Sequence, residues 1–306
     1  MHAPYQRTVR AHAKVNLLLR VLAREASGFH GIETVFQRLA LHDIVHVSVR
    51  EEARTLECDG PMMPPEGLGD MERNLAWRAA QLYMETAGWE SGWHIAIEKR
   101  IPVGGGLGGG SADAAAVLHA LESMSPAPLG AGALLELGGT LGSDLPFLLS
   151  EESLAVGWGR GDRLLALPAL PRAQVLLFTF GAGVNTGVAY AEIARTRNSE
   201  GMRPGARAYE AGAFASWSSV ATIAANDFES VVPGMHTGVA STLPLVQQVA
   251  TDLRDAGTPA IGMLSGSGAT IFLLTPVDAA LPSPALDAAS GADAAARARV
   301  IQSATL

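Results

Sequence analysis

The stretch Ile101 to Ser111, IPVGGGLGGGS, carries two runs of three glycines and separates segments of different period. Upstream, WHIAIEKRI (93–101) puts Trp93, Ile95 and Ile97 on one face and His94, Ala96 and Glu98 on the other, the alternation of a β-strand. Downstream, Ser111 can cap SADAAAVLHALES (111–123), whose alanines and leucines favour helix and whose Ala115, Leu118, Ala120 and Leu121 supply a packing face. Strand, glycine loop and helix in that order leave unpaired amides at the positive end of a helix dipole, a setting that attracts anions, phosphate above all. A tight turn or a close backbone contact would need only a glycine or two, so the doubled run points past packing to a ligand. Gly104, Gly106 and Gly109 satisfy the dinucleotide pattern G-x-G-x-x-G, yet where a second strand and its acidic end are due the chain reads SMSPAPLG (123–130). The Walker form requires Lys and then Ser or Thr after the loop, and no lysine stands there. The stretch reads as a phosphate loop of a third kind.

At 306 residues and 48% hydrophobic content the chain can bury a large core and suits two domains or one large one. A formal charge of −8 argues against a nucleic-acid or anionic-membrane surface while allowing a local cationic pocket for a nucleotide. The single cysteine, Cys58, fits a reducing compartment, and no stretch has the apolar run of a signal peptide or a membrane span, so a soluble cytoplasmic protein is expected. Of 22 cationic side chains, only Lys14 and Lys99 are lysines. Where a background bias turns generic positive charge into arginine, lysine survives at sites that need a compact ammonium and cannot use a planar fork. Lys99 lies just before the loop, and Lys14 opens the next motif outward.

That motif is RTVRAHAKVNLLLRVL (7–22), a strand on which Lys14 and Asn16 share one face. GFHGIETVFQRLALHDIVHVSV (28–49) follows, with a turn at Gly28, then Phe29 and His30, then strands predicted at 34–41 and 44–49. None of the eight histidines has a metal-ligand spacing. Residues 59–71 read as loop and 74–87 as helix. After the glycine loop and its helix comes a helix at 131–137, then GGTLGSDLPFLL (138–149), where Asp144 occupies a position usual for a helix cap. GWGRGDRLLALP (157–168) reads as a hairpin leading to a domain crossing near 168–171, and the strand QVLLFTF (174–180) leads to GAGVNTGVAY (181–190), with Thr186 and Tyr190 ahead of a polar loop at 196–207. A helix at 243–256, the glycine turn Ser265 to Gly268 entering an apolar strand, a helix near 292–299 and a short terminal strand complete the chain. Taken alone, that second glycine turn suits a hairpin.

Together these segments resemble the GHMP kinase superfamily, whose three motifs are an N-terminal strand, a Gly-rich loop on a helix and a late Gly-rich turn. More narrowly, AKVNL, GFH, PVGGGLGGGSADAAAVL, LGSDLPFLL, NDFE and MLSGSGATIFLL are similar to the 4-diphosphocytidyl-2-C-methyl-D-erythritol kinase family of the isoprenoid pathway. The resemblance implies an α/β (α+β) fold of two domains, a ribosomal-S5-like nucleotide domain over residues 1–168 and a ferredoxin-like α+β domain over 169–306. It implies ATP and Mg²⁺ as cofactors, no resident metal site, a cytidyl diphosphate methylerythritol substrate, no nucleic acid or membrane partner, and a monomer or weak homodimer. Lys14 and Asp144 fall on the family's catalytic pair. Pro102, Val103, Gly104, Gly105, Gly106, Leu107, Gly108, Gly109, Gly110, Ser111 and Ala112 fall on its phosphate loop, and Lys99 and Asn74 on positions near the adenosine. Asn16, His30 and Thr186 match substrate positions, with His30 at the cytosine edge and Phe29 and Tyr190 sandwiching the ring. Two departures stand out: Ser27-Gly28-Phe29-His30 replaces the usual D-G-Y-H, and Ala112 stands where a second serine is common. The alternatives are a homoserine- or mevalonate-type kinase of the same superfamily, against which the GFH segment argues, and a nucleotide-binding regulator that has lost catalysis, against which Lys14 with Asp144 argues.

Overall fold

A computed structural model of the chain describes residues 5–24, 30–200, 208–279 and 298–306. The run that turns from polar to apolar after Gln6 forms β1 (Gln6–Arg24). The two strands expected after Gly28 are one, β2 (His30–Arg50), because the joining residues His42 and Asp43 include no Gly or Pro to end it. β1 and β2 pair antiparallel, with register shifts between His12 and Lys14 and between Asn16 and Leu18. Such bulges bend and twist a ribbon, and this long one changes partner along its length. Residues 44–50 of β2 pair with β4 (Gly92–Glu98), which pairs in parallel with β3 (Arg54–Asp59). Residues 32–37 pair instead with β5 (Leu154–Gly159), which forms the expected hairpin with β6 (Arg163–Ala166). The sheet is completed by β8 (Ala225–Asn226), parallel to β1.

Four helices serve this sheet: α1 (Leu75–Thr86), α2 (Gly109–Met124), α3 (Ala131–Leu141) and α4 (Leu145–Leu149). α2 packs against β1, β2, α1 and α4. It buries Ala112, Ala114, Ala115, Ala116, Val117, Leu118, Ala120 and Leu121, so it is buried nearly all round rather than along the single face the sequence suggested. Its small side chains let neighbours approach on every side. The helix also begins earlier than expected: Gly108, at φ +72°, is its N-cap, and Ser111 lies inside the first turn without capping it.

The second sheet runs β11-β7-β10-β9, antiparallel throughout, from β7 (Ala173–Thr179), β9 (Ile261–Leu264), β10 (Ile271–Pro276) and β11 (Arg299–Ala304). In chain order this is the 4-1-3-2 arrangement of a ferredoxin-like sheet. Its central strands β7 and β10 are apolar on both faces, and period two splits them between two cores. Val175, Leu177, Phe272 and Leu274 join the core of the first sheet, whereas Leu176, Phe178, Ile271 and Leu273 pack with residues of α5 (Thr186–Glu200) and α8 (Thr237–Asp255). Two shorter helices, α6 (Trp217–Ile223) and α7 (Val232–Met235), link these elements.

Two sequence expectations are corrected here, and a third falls largely outside the described residues. α8 starts at Thr237 rather than 243, because the His236 ring accepts the Val239 amide as a cap and Pro244 is carried inside the helix. α5 continues to Glu200, through the first part of the loop expected at 196–207. Of the helix expected near 292–299, Arg299 is strand and residues 292–297 lie outside the described residues. Among the described residues no helix is long and apolar enough to cross a membrane.

Candidate active site

The glycine loop spans the gap between the two sheets. The Ser265–Gly268 turn is the hairpin between β9 and β10, but it does more than turn. Thr270 N donates to Gly105 O (3.1 Å) and Ser265 Oγ to Gly106 O (3.0 Å), so the two glycine turns clasp backbone to backbone. At Gly106 a Cβ would stand 2.2 Å from Ser265 O, too close for any side chain. The doubled glycine run, read from the sequence as pointing past packing to a ligand, therefore also serves packing, and Gly106→Val would force the clasp apart. The turn is itself pinned: Asn226 Nδ2 donates to Leu264 O and Gly266 O, each at 2.8 Å, and Glu229 accepts the Leu264 amide at 2.8 Å. Burial holds Glu229 up at about 7.

From the clasp the chain enters α2. The first intrahelical bond is Ala112 N to Gly108 O (2.8 Å), which leaves the amides of Gly109, Gly110 and Ser111 pointing outward at the positive helix end. Pro102 and Leu107 are buried, so their contribution to a ligand is backbone, and Leu107 O accepts the Lys14 amide (3.0 Å). Val103 is exposed beside the loop, and Ala112 faces away from the cleft.

β1 brings Lys14 to the same place. Its side chain is 4% exposed, and Nζ donates to Asn16 Oδ1 (2.8 Å) and Gly106 O (3.2 Å) and lies 3.3 Å from Asp144 Oδ2. Asn16 Nδ2 in turn donates to Thr34 Oγ1 (2.8 Å), and the Thr34 hydroxyl donates to Leu18 O (2.8 Å). Asn16, expected to touch substrate, thus spends its carbonyl and one amide hydrogen on fixing Lys14. Thr34 is a positioning residue that sequence reasoning missed, since it pairs with Leu19 and reaches Asn16 only across the register shift between Asn16 and Leu18. Asp144 precedes α4 but makes no side-chain cap; its carboxylate, 29% exposed, turns into the cleft toward Lys14.

The cleft has a volume of about 240 Å³, and Lys14, Asn16, Ser111, Asp144, Thr186 and Tyr190 all line it. Thr186 and Ser267 hydroxyls bond at 2.8 Å across its wall. Tyr190 stands edge-on to Phe228 (4.9 Å) and is stacked with His30 (5.0 Å, 17°). Burial and then the Asp144 charge push the Tyr190 hydroxyl up to about 12, so it is a neutral ring at any ordinary pH. His30 in this structure therefore covers one face of Tyr190 instead of standing clear at an edge. Phe29, the other half of the expected sandwich, lies outside the described residues.

Two expected nucleotide residues have other partners. Lys99, only 3% exposed, is ion-paired with Asp43 and with Asp113 (2.6 Å) beneath the loop. Burial opposes its charge, but the two carboxylates outweigh that and raise its pKa, while burial raises that of Asp113. Asp43 also accepts the Arg100 and Ile101 amides, so this group fixes the strand end from which the loop departs. The ammonium that the sequence marked as unusual thus sits in a buried ion pair with two carboxylates. Asn74 accepts the Ala76 amide (2.9 Å) as the N-cap of α1.

Among the described residues Asp144 Oδ1 and Ser111 Oγ have no protein partner, and no group of three or more His, Cys, Asp or Glu could hold a metal. One carboxylate and one hydroxyl fit Mg²⁺, which takes most of its oxygens from phosphate and water, and the open α2 amides fit the phosphates.

Comparison with known proteins agrees with this geometry. The model of the family GHMP kinases N terminal domain matches residues 74–151. A 4-diphosphocytidyl-2-C-methyl-D-erythritol kinase of Kineococcus radiotolerans is 40% identical over 290 residues, covering 92% of this chain and 85% of that protein. A crystal structure of 4-(cytidine 5'-diphospho)-2C-methyl-D-erythritol kinase matches at 31% identity and a TM-score of 0.64, over 98% of this chain and 99% of that one. L. major mevalonate kinase reaches a TM-score of 0.65 over 100% of this chain and 98% of its own at only 13% identity, a likeness of fold alone. Identity sustained over nearly the whole chain, and not shape, separates these kinases, and by it the chain belongs to the 4-diphosphocytidyl-2-C-methyl-D-erythritol kinase family of GHMP kinases.

Proposed function

We propose that the protein transfers the γ-phosphoryl group of ATP to the 2-hydroxyl of 4-diphosphocytidyl-2-C-methyl-D-erythritol, a step toward isoprenoid precursors. The observation that carries the reaction type is the Lys14–Asp144 pair, 3.3 Å apart at the open amino end of α2. Phosphoryl transfer asks mainly for positioning and for stabilisation of charge on the transferred group. The Gly109–Ser111 amides hold the polyphosphate, and the Ser111 hydroxyl would give one oxygen to a Mg²⁺ otherwise held by phosphate and water, which would neutralise phosphate charge. The Asp144 carboxylate takes the proton of the acceptor hydroxyl, and the Lys14 ammonium, aimed by Asn16, stabilises the oxygens between which the group moves. The division into residues 1–168 and 169–306 puts the loop and Lys14 in one domain and the Ser265–Gly268 turn in the other, with the cleft at their junction.

ADP release measured over a panel of acceptors tests the reading. Turnover is expected with the cytidyl methylerythritol diphosphate and not with homoserine or mevalonate, and turnover of either of the latter in preference would overturn it. The same assay reports on the base site. Tyr190→Leu keeps apolar bulk against Phe228 but removes a stacking face worth about 1–3 kcal/mol per base. KM for the cytidyl substrate should rise on the order of tenfold or more while KM for ATP holds, and parallel movement of both constants would place the base elsewhere.

A further inference from the structure

A second cavity, of about 220 Å³, lies between β1, β2, α2 and α4 and shares no lining residue with the catalytic cleft. One wall is apolar, built from Ala112, Ala115 and Ala116 of α2 with Leu148 of α4. Arg10, His12, Arg38 and His119 also line it, with Glu151 as the opposing charge.

Two polar groups here lack the partners that burial demands. Arg38 is 7% exposed, yet its guanidinium donates only to backbone carbonyls, Nε to Glu152 O (2.9 Å) and Nη2 to Phe147 O (3.0 Å) and Leu148 O (3.3 Å), and lies over the Phe147 ring. Among the described residues no carboxylate comes within ion-pair distance of it. Glu151 and Glu152 act on it only from beyond contact, and a buried cation whose hydrogen bonds all go to neutral carbonyls has its desolvation only partly offset. The second group is His119 Nε2, which is buried and has no partner among the described residues. Buried orphans of this kind are few, and each calls for an explanation.

An anion in the cavity would answer both. Donors arriving from Arg10 of β1, Arg38 of β2 and His119 of α2 suit a head with several oxygens better than a planar carboxylate. The alanine wall adds a surface for apolar atoms beside that head. We infer that this cavity binds a small phosphate monoester with a short apolar body, its phosphate held by Arg38, Arg10 and His119 and its body against the alanines of α2.

The test is calorimetric titration of n-butyl phosphate into the full chain saturated with Mg²⁺ and a non-hydrolysable ATP analogue, so that the glycine loop is already filled. A saturable one-site isotherm is expected, with no saturable heat from n-butanol. His119→Leu should weaken binding about tenfold or more, as loss of a charge-assisted bond does, while kcat with the cytidyl substrate stays unchanged. Arg10→Ser, at an exposed position that cannot endanger the core, should weaken it as well. Absence of saturable binding, equal affinity in both variants, or displacement of n-butyl phosphate by the cytidyl substrate would each overturn the assignment.

Discussion

Asp144→Asn should lower kcat by roughly 10²- to 10⁴-fold while dissociation constants for both substrates stay near those of the parent protein. The substitution is close to isosteric, and the site is built so that little else changes. Asp144 makes no side-chain cap to α4, so no helix end is released, and an asparagine carbonyl can still accept from Lys14 at the 3.3 Å where the carboxylate now stands. What disappears is the ability to take a proton from the acceptor hydroxyl, together with one negative charge beside the phosphates. A loss in KM alone would make Asp144 a binding residue. A fully active variant would leave the reaction to the α2 amides and Lys14, as a loose transition state that asks little of a base would permit.

Much of this site is legible in the sequence, and the illegible parts share a cause. Period two put Lys14 and Asn16 on one strand face, and the switch from alternation to helix across the glycine run located the open amino end of α2, because both signals are local. The ferredoxin-like strand order followed from the family resemblance, and β7 explains why periodicity alone could not supply it: apolar on both faces, QVLLFTF serves two cores at once and reads as one continuous run. Whatever depends on distant residues meeting was hidden. Gly106 needs its missing side chain because Ser265 lies against it from the far end of the chain, and no pattern around residue 106 reports that. Lys99 shows the same limit from the other side. The rarity of lysine correctly marked a place that needs an ammonium, but only the fold shows that Asp43 and Asp113 are what it answers. The family resemblance put Asn16 at the substrate, and its bond to Thr34, made across a register shift between β1 and β2, shows in no local pattern.

Lys14→Met should cost about as much as Asp144→Asn, on the order of 10²- to 10⁴-fold in kcat, and the double variant should be little worse than either one. Methionine keeps the unbranched stem that packs in this buried position beside Phe36, so shape is retained while the charge is removed. Three acceptors lose their donor: Asn16 Oδ1, Gly106 O and Asp144 Oδ2. Gly106 O keeps the Ser265 hydroxyl, but Asn16 Oδ1 is left unmet, and an unmet buried acceptor costs about 1–3 kcal/mol, so some fall in thermal stability should accompany the kinetic loss. Stability and catalysis separate in the cycle. If Lys14 served only to hold the loop through Gly106 O, its removal would weaken ATP binding and add fully to the effect of Asp144→Asn, because the two residues would act on different steps. If the ammonium and the carboxylate act on one transferring group, whichever is removed first takes most of the rate with it, and the second removal finds little left to lose. A double variant within about tenfold of the worse single one is therefore the expected result, and full additivity would assign the two residues to separate tasks.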